Sequence, residues 1–489
     1  MISESKLLEQ YPAEVPVDAA SVVRTRTESS PVLIVLDDDP TGTQSVADLP
    51  VLTAWTEDDL RWALGTGAPA VYVLTNTRSL APETAAARNR EIVASALAAS
   101  RGLGVAVAFV SRGDSTLRGH FPLETDEITA ALASATGEGV DAVLLVPAFP
   151  DAGRVTVGGV HYMRTPEGLQ PVAETEFARD STFGYAHSDL REWVEEKTGG
   201  RWPAGEVASL DLRTLRAGAD AIAEVLAPLR DGVPVVVDAV TENDLRLLAL
   251  GLARAEESGL RLLHRVGPPY VRARIGQEVH PPLTAGEIFT EEASAGSTRG
   301  GLVVVGSHVG LTSRQLARLD GTGTLRATLE IEVDRAVDPD AAPAHLADLV
   351  ERAVAALEEG DVAVHTSRSL RRVDDPQESL EISRRVSAAV VAVVQGVLAR
   401  VRPRFVIAKG GITSSDVASH GLGIRRAIVR GPMLPGIVSL WEPVEGPAAG
   451  IPYVVFAGNV GDDDSLAQVA ATLRAPALPH PTPTLRRTP

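Results

Sequence analysis

The stretch VLIVLDDDPTGTQ, residues 32–44, decides how the chain is read. Five apolar residues run without alternation into Asp37, Asp38 and Asp39, and a Pro-Thr-Gly turn follows. An unbroken apolar run of this length marks a strand buried on both faces, the kind found in parallel sheets covered by helices. Three consecutive carboxylates at the end of a buried strand are costly unless polar or cationic groups meet them. What meets them is the question the sequence poses.

The same pattern recurs outward from this stretch. Strands are predicted at 70–75, 104–110, 141–146 and 233–238, then at 301–306, 361–366, 404–408, 437–441 and 452–457. Helical periodicity covers 83–100, 124–135, 213–229, 241–256, 342–359 and 377–400. Strand–helix alternation of this kind predicts an α/β fold of two domains, each a mainly parallel sheet flanked by helices, with the active site in the interdomain cleft. The chain of 489 residues is too long for one ordinary core. The predicted division is an N-terminal extension with one short helix (1–30), a first domain (31–270), a linker (271–300), a second domain (301–474) and a Pro-rich, disordered tail (475–489). The linker is placed where RVGPPYVRARIGQEVHPPLTAGE loses periodicity and gathers prolines.

Composition excludes several classes. A net charge of −18 argues against nucleic acid and anionic membranes as partners, because both require a basic face. The absence of cysteine excludes disulfides, thiolate nucleophiles and Cys-ligated metals. No basic segment followed by an apolar core opens the chain, and the longest apolar run, 386–401, is interrupted by Ser387, Gln395 and Arg400. It reads as a buried helix, so a cytoplasmic protein is expected. No pair of histidines has helical metal-ligand spacing, and no dedicated metal site is expected.

Nearly every predicted strand ends in small and polar residues, and in open parallel sheets ligands bind beyond those ends. KGGITSSDVASHGLG (409–423) places Gly410 and Gly411 after a strand and before a helix, where N–H groups and the helix dipole favour an anion. An ordinary N-capped turn would read the same way. VVVGSHVGLTSRQL (303–316) repeats the logic with Ser307 and Thr312, and FAGNVG (456–461) is a third glycine turn. Three such turns suggest a nucleotide pocket, with neither a Walker A nor a G-x-G-x-x-G sequence present. In the first half, SRGDSTLRGHFPLE (111–124) offers Arg118, a planar fork matched to a carboxylate or phosphate, beside Arg112, Asp114, Ser115 and Thr116. PAFPDAGRVTVGGVHY (147–162) adds Arg154 on another tight loop, and His161 reads as structural or as a ligand. Together with the opening aspartates these describe a pocket for a small polyol with an anionic end.

These motifs resemble the four-carbon acid sugar kinase family. Asp38-Asp39-Pro40-Thr41-Gly42-Thr43 is similar to its Asp-Asp-Phe-Thr-Gly-Ala opening, and Asp114 to Gly119 match its Asp-Ser-Thr-Leu-Arg-Gly segment unbroken, with Glu124 following. Pro-Ala-Phe-Pro at 147–150, Gly153-Arg154, Gly306-Ser307 with Thr312 and Gln315, Gly410-Gly411-Ile412-Thr413 and Gly458-Asn459-Val460-Gly461 continue the match in order, from about 32 to 470. The chain departs from the family at Pro40, Arg112 and His120, all on the sugar side. The resemblance implies a sugar-acid-binding first domain and a nucleotide-binding second domain, transferring phosphate from ATP to the terminal hydroxyl of threonate, erythronate or a 3-oxo-tetronate. It implies nucleotide contacts from Ser307, Gly410, Gly411, Ile412, Thr413 and Gly458. On the sugar side it implies contacts from Asp38, Asp39 and Arg118, beside which Arg112, Asp114 and Arg154 are placed by the residue reading, with Asp38 or Asp39 as general base. Mg²⁺ would travel with ATP, and a homo-oligomer is possible. Two other readings compete. Asp37, Asp39 and Thr41 fit the D-x-D-x-T pattern of haloacid-dehalogenase-type aspartyl-phosphate phosphatases, with Lys409 and the aspartates at 462–464 as later motifs. A non-catalytic sugar-acid and nucleotide binder is the third.

Overall fold

A computed structural model describes residues 2–289, 296–368 and 376–475. The proline-rich tail lies outside the described residues apart from Ala475, and so does part of the expected linker. The chain forms two compact units, Met1–His280 with Arg425–Val429, and Pro281–Ile424 with Arg430–Pro489.

In the first unit, the strands Leu49–Leu52, Ala70–Leu74, Val32–Asp37, Val107–Arg112, Leu262–Val266, Ala142–Val146, Val233–Val237 and Ala208–Leu210 lie side by side in that order, all parallel. A later segment of the chain, Arg426 to Val429, pairs antiparallel with Leu49–Leu52. The opening strand is central. From it the chain first fills one side, then crosses to the other with Val107–Arg112, so the strand order reverses at the ends of Val32–Asp37 and Val107–Arg112. Such a reversal opens a crevice beyond the strand ends. Its core includes Ile34, Leu36, Val71, Val73 and Phe109 packed on Ile92, Val93 and Ala96 of helix Pro82–Leu103.

The second unit repeats the plan. Its order is Leu325–Ile331, Asp361–Thr366, Leu302–Val305, Val406–Lys409 and Tyr453–Phe456, all parallel, followed by the antiparallel Val438–Pro443. Here the reversal falls between Leu302–Val305 and Val406–Lys409.

Several expectations are corrected. The linker placed at 271–300 begins inside a buried helix, Pro269–Ile275, which follows the strand Leu262–Val266. Helix Ala285–Ile288 then belongs to the second unit. The helix expected at 213–229 is two helices broken at Gly218, whose φ of +109° suits only glycine. The N-terminal extension holds two short helices rather than one and is fastened to the first unit, with Arg164 donating to Glu4 at 2.6 Å and Val22 fully buried. The tight loop expected around Arg154 is a three-stranded antiparallel sheet, Arg154–Val157, Val160–Thr165 and Gly168–Pro171.

Candidate functional site

The question posed by the three aspartates is answered by arginines. Asp37 is buried and bonded by Arg112, whose guanidinium also donates to the Asp39 carbonyl and lies 3.4 Å from Asp38. Arg78 holds Asp38 through two nitrogens, at 2.6 and 3.2 Å, and reaches Asp39 at 3.5 Å. Arg265 lies 3.9 Å from Asp38 and is fixed by Glu124 at 2.5 Å and Ser111 at 2.7 Å. Burial, which disfavours charge, raises Asp37 to about 7 against the pull of Arg112. Burial acts the same way on Asp39, but Arg78, Arg112 and the Thr41 bonds outweigh it and hold that carboxyl low. The glycine in the Pro-Thr-Gly turn follows from this cluster: a Cβ on Gly42 would fall on the Asp37 carboxylate and the Arg112 Nε.

Arg112 is therefore not aimed outward as expected. It is almost fully buried and serves as the counter-charge of the aspartates. Of the three carboxylates, Asp39 alone retains exposure. It also caps the turn Pro40–Ser45 by accepting from the Thr41 N–H at 2.9 Å.

A second group gathers Asp114, Arg118 and Arg154. Arg118 Nε donates to Asp114 at 2.7 Å, and its guanidinium stacks on Phe177 at 5.0 Å, which leaves the far end of the fork accessible. Its nearest other acid, Asp180, lies at 3.8 Å. Burial would raise Asp114, but Arg78 and Arg118 hold it well below the usual carboxylate range. Asp114 thus orients the arginine. Among the described residues the Arg154 side chain bonds only the Ala152 carbonyl, at 2.6 Å, while its Nε is buried without a partner; burial lowers its pKa, and Asp114 and Arg118 are both within electrostatic reach. Two guanidinium groups with free nitrogens in one corner suit a carboxylate. Gly113, Asp114, Leu117, Arg118 and Arg265 line a recess here. His161 is structural, bonded through both ring nitrogens to Thr156 at 2.9 Å and to the Ser115 carbonyl at 2.8 Å.

In the second unit the three glycine turns interlock. A Cβ on Gly306 would fall on Thr413 Oγ1, and one on Gly458 would fall on Ser307 Oγ. One on Gly410, whose φ is +129°, would lie 2.9 Å from Thr413 Oγ1 and 3.1 Å from Ser307 Cβ. Ser307, the turn at 410–413 and Gly458 are thereby brought together. Two details differ from expectation. Thr312 donates to the Gly458 carbonyl at 2.8 Å and so fixes that turn instead of facing a ligand. The helix after Gly410 runs only from Gly411 to Asp416 before a π-helical turn, so it offers unpaired N–H groups more than a macrodipole.

Lys409 lies beneath these turns, fully buried, its Nζ donating to the Ala457 carbonyl at 2.6 Å and lying 3.8 Å from the Phe456 ring centre. Burial lowers its pKa to about 7. Between that value and the ordinary lysine value the unfolded chain binds a proton that the native chain does not, so raising the pH through this window stabilises the fold. We expect Lys409→Met to remove a slope of up to about 1.4 kcal/mol per pH unit, measured by urea denaturation from pH 7 to 9.5. An unchanged slope would contradict this assignment.

The phosphatase pattern finds little support in these contacts. Its first aspartate, Asp37, is locked to Arg112, while Asp463 and Asp464 pair with Arg314 and Arg318. Sequence reading missed Arg265, which lies on a strand whose His264 and Arg265 disguised its apolar character, and it gave Arg78 no part in holding the aspartates. The Gly158-Gly159 pair, both at positive φ between short β-rich runs, was the available signal for the extra sheet.

Residues 33–274 match a family described as the sugar-binding N-terminal domain, and residues 302–466 match the nucleotide-binding C-terminal domain. A Heliobacterium modesticaldum protein named D-erythronate kinase is 28% identical over 272 residues, 55% of this chain and 54% of the relative. A Cupriavidus necator protein named D-threonate kinase is 34% identical over 192 residues, 39% of this chain and 40% of the relative. The matched part thus spans about half the length of these curated relatives, or less. The crystal structure of a Haemophilus influenzae protein shares the fold, with a TM-score of 0.60 at 18% identity over 90% of this chain and 99% of the other. Among the described residues, no helix is long and apolar enough to cross a membrane.

Proposed function

The chain belongs to the four-carbon acid sugar kinase family, and from that membership we propose that it transfers the terminal phosphate of ATP to the terminal hydroxyl of a four-carbon sugar acid, of the erythronate, threonate or 3-oxo-tetronate type. The observation that carries the nucleotide half is the convergence of Ser307, the 410–413 turn and Gly458 at a strand-order reversal. The phosphates would take the free N–H groups of the Gly411 turn and the Thr413 hydroxyl. Mg²⁺, arriving as part of the nucleotide substrate, would offset the negative charge of the phosphates.

On the sugar side, Arg118 and Arg154 would clamp the carboxylate. The hydroxyl oxygen forms the new bond to the γ-phosphorus, the bond to the β,γ-bridging oxygen breaks, and ADP leaves. Asp39 is favoured as the acceptor of the hydroxyl proton because it retains exposure, whereas three arginines surround Asp38. Its low pKa is tolerable because phosphoryl transfer depends mainly on positioning and on charge stabilisation.

Coupled detection of ADP across a panel of tetronates tests the reading. Turnover with one or more of them is expected; phosphate release without any sugar acid, or a trapped phospho-aspartate, would overturn it. Arg118→Ala should raise the apparent KM for the sugar acid on the order of 10- to 100-fold while leaving that for ATP within about twofold. Equal effects on both would contradict its role.

A further inference from the structure

Several buried polar atoms without partners gather at one corner of the second unit. Strands Leu302–Val305 and Asp361–Thr366 are parallel neighbours with Val305 opposite His365, so the segments that follow them emerge side by side. His308 Nδ1, Thr366 Oγ1 and Arg368 Nη1 all come from this edge, and each is buried with no hydrogen-bond partner. Folded proteins leave few such atoms unmet, so a cluster of them calls for an occupant.

Arg368 supplies the charge. Its Nε and Nη2 donate to Ser313 Oγ at 3.2 and 2.7 Å, in the first turns of helix Gly310–Gly321. A hydroxyl neutralises nothing. Among the described residues no carboxylate pairs with Arg368, whereas Arg314 and Arg318 of the same helix are paired with Asp463 and Asp464. His308 follows Ser307 directly, and burial together with the Arg368 charge lowers its pKa and favours the neutral imidazole. The corner therefore presents a half-buried guanidinium held by Ser313 through Nε and Nη2, with Nη1 left buried and unpartnered, on the strand edge beside the one that carries Ser307.

We propose that Arg368, anchored by Ser313 and flanked by His308, binds the β- and γ-phosphates of the nucleotide. The assignment rests on reading Ser307, the 410–413 turn and Gly458 as the nucleotide site. Across the sheet, Arg368 lies on one side of Ser307 and the turns at Gly410 and Gly458 lie on the other. The glycine turns thus serve one end of a polyphosphate by backbone N–H groups, and Arg368 supplies a fixed cation for the other end. A planar fork held on one edge suits phosphate oxygens on the opposite edge.

Titration calorimetry of the full chain with ATP, ADP and AMP, for the wild type and for Arg368→Gln, Arg368→Lys and Ser313→Ala, tests the proposal. Arg368→Gln should weaken ATP and ADP on the order of 10- to 100-fold and leave AMP within about twofold. Lysine should restore part of the loss, since it keeps the charge without the fork. Ser313→Ala, which removes only the anchor, should weaken ATP several-fold and spare AMP. Unchanged ATP affinity in Arg368→Gln, or equal losses for ATP and AMP, would overturn the assignment. A wild-type protein that binds none of the three would refute the cradle reading and the assignment with it. Wild-type binding with an unaffected glutamine variant would refute the assignment alone.

Discussion

Gly410→Val abolishes nucleotide binding and leaves sugar-acid binding measurable: this is the largest functional effect expected of a single substitution. The backbone at Gly410 has φ +129°, a region in which a β-branched residue is strained by roughly 1–3 kcal/mol. Its new side chain would also press on Thr413 Oγ1 and Ser307 Cβ, the atoms that shape the cradle. The turn would shift, and the N–H groups after it would no longer converge. ATP affinity should fall at least about 100-fold, by calorimetry, with native circular dichroism retained. Thr413→Val provides a milder control. It removes a hydroxyl that has no hydrogen-bond partner among the described residues and should cost about tenfold in ATP affinity without loss of stability. Loss of sugar-acid binding in Gly410→Val would mean global unfolding, and full ATP binding in both variants would remove the cradle from the account.

Arg112→Met should produce the largest loss of stability. Methionine fills much of the same space but leaves Asp37 buried without its counter-charge, beside Asp38 and Asp39. Breaking a buried pair from one side typically costs about 3–5 kcal/mol where the remaining carboxylate is charged, a condition that Asp37, raised to about 7, meets only above neutral pH, where the loss should be measured. Asp37→Asn in the same chain should recover part of that cost, since it removes the stranded carboxylate. Urea denaturation followed by tryptophan fluorescence reports on the relevant unit, because Trp55, Trp62, Trp193 and Trp202 lie there and Trp441 alone lies in the other. A loss below about 1 kcal/mol would show that Arg112 is not the counter-charge described.

How much of this was legible in the sequence depended on the range of the interaction that made it. The strand at 32–37 could be read to the residue, because burial on both faces writes itself into a continuous apolar run. The glycine turns were legible for a similar local reason: close approach and positive φ exclude side chains at Gly410 whatever lies elsewhere. Features set by distant partners were hidden. Strand Leu262–Val266 carries His264 and Arg265 in its interior, tolerated because Tyr270 and Glu124 meet them. The segment Arg425–Val429 joins the first unit from 145 residues beyond the end of its main stretch at His280, and no local pattern announces such a pairing. The roles of the arginines were the least legible. Arg112, Arg118 and Arg154 look alike in sequence, yet one is enclosed by aspartates, one is oriented by Asp114 and one has a nitrogen left bare.

The central claim is that the amino-terminal unit holds the sugar acid and the carboxy-terminal unit holds the nucleotide. Hydrogen exchange of the full chain, with each ligand added separately, tests it most directly. A non-hydrolysable ATP analogue should slow exchange at 306–315, 410–415 and 456–461 and leave 38–44 and 112–119 unchanged, while the tetronate that is turned over should do the reverse. Protection by the nucleotide analogue around Asp39 and Arg118, with the turn at Gly410 exchanging as in the free protein, would contradict the account.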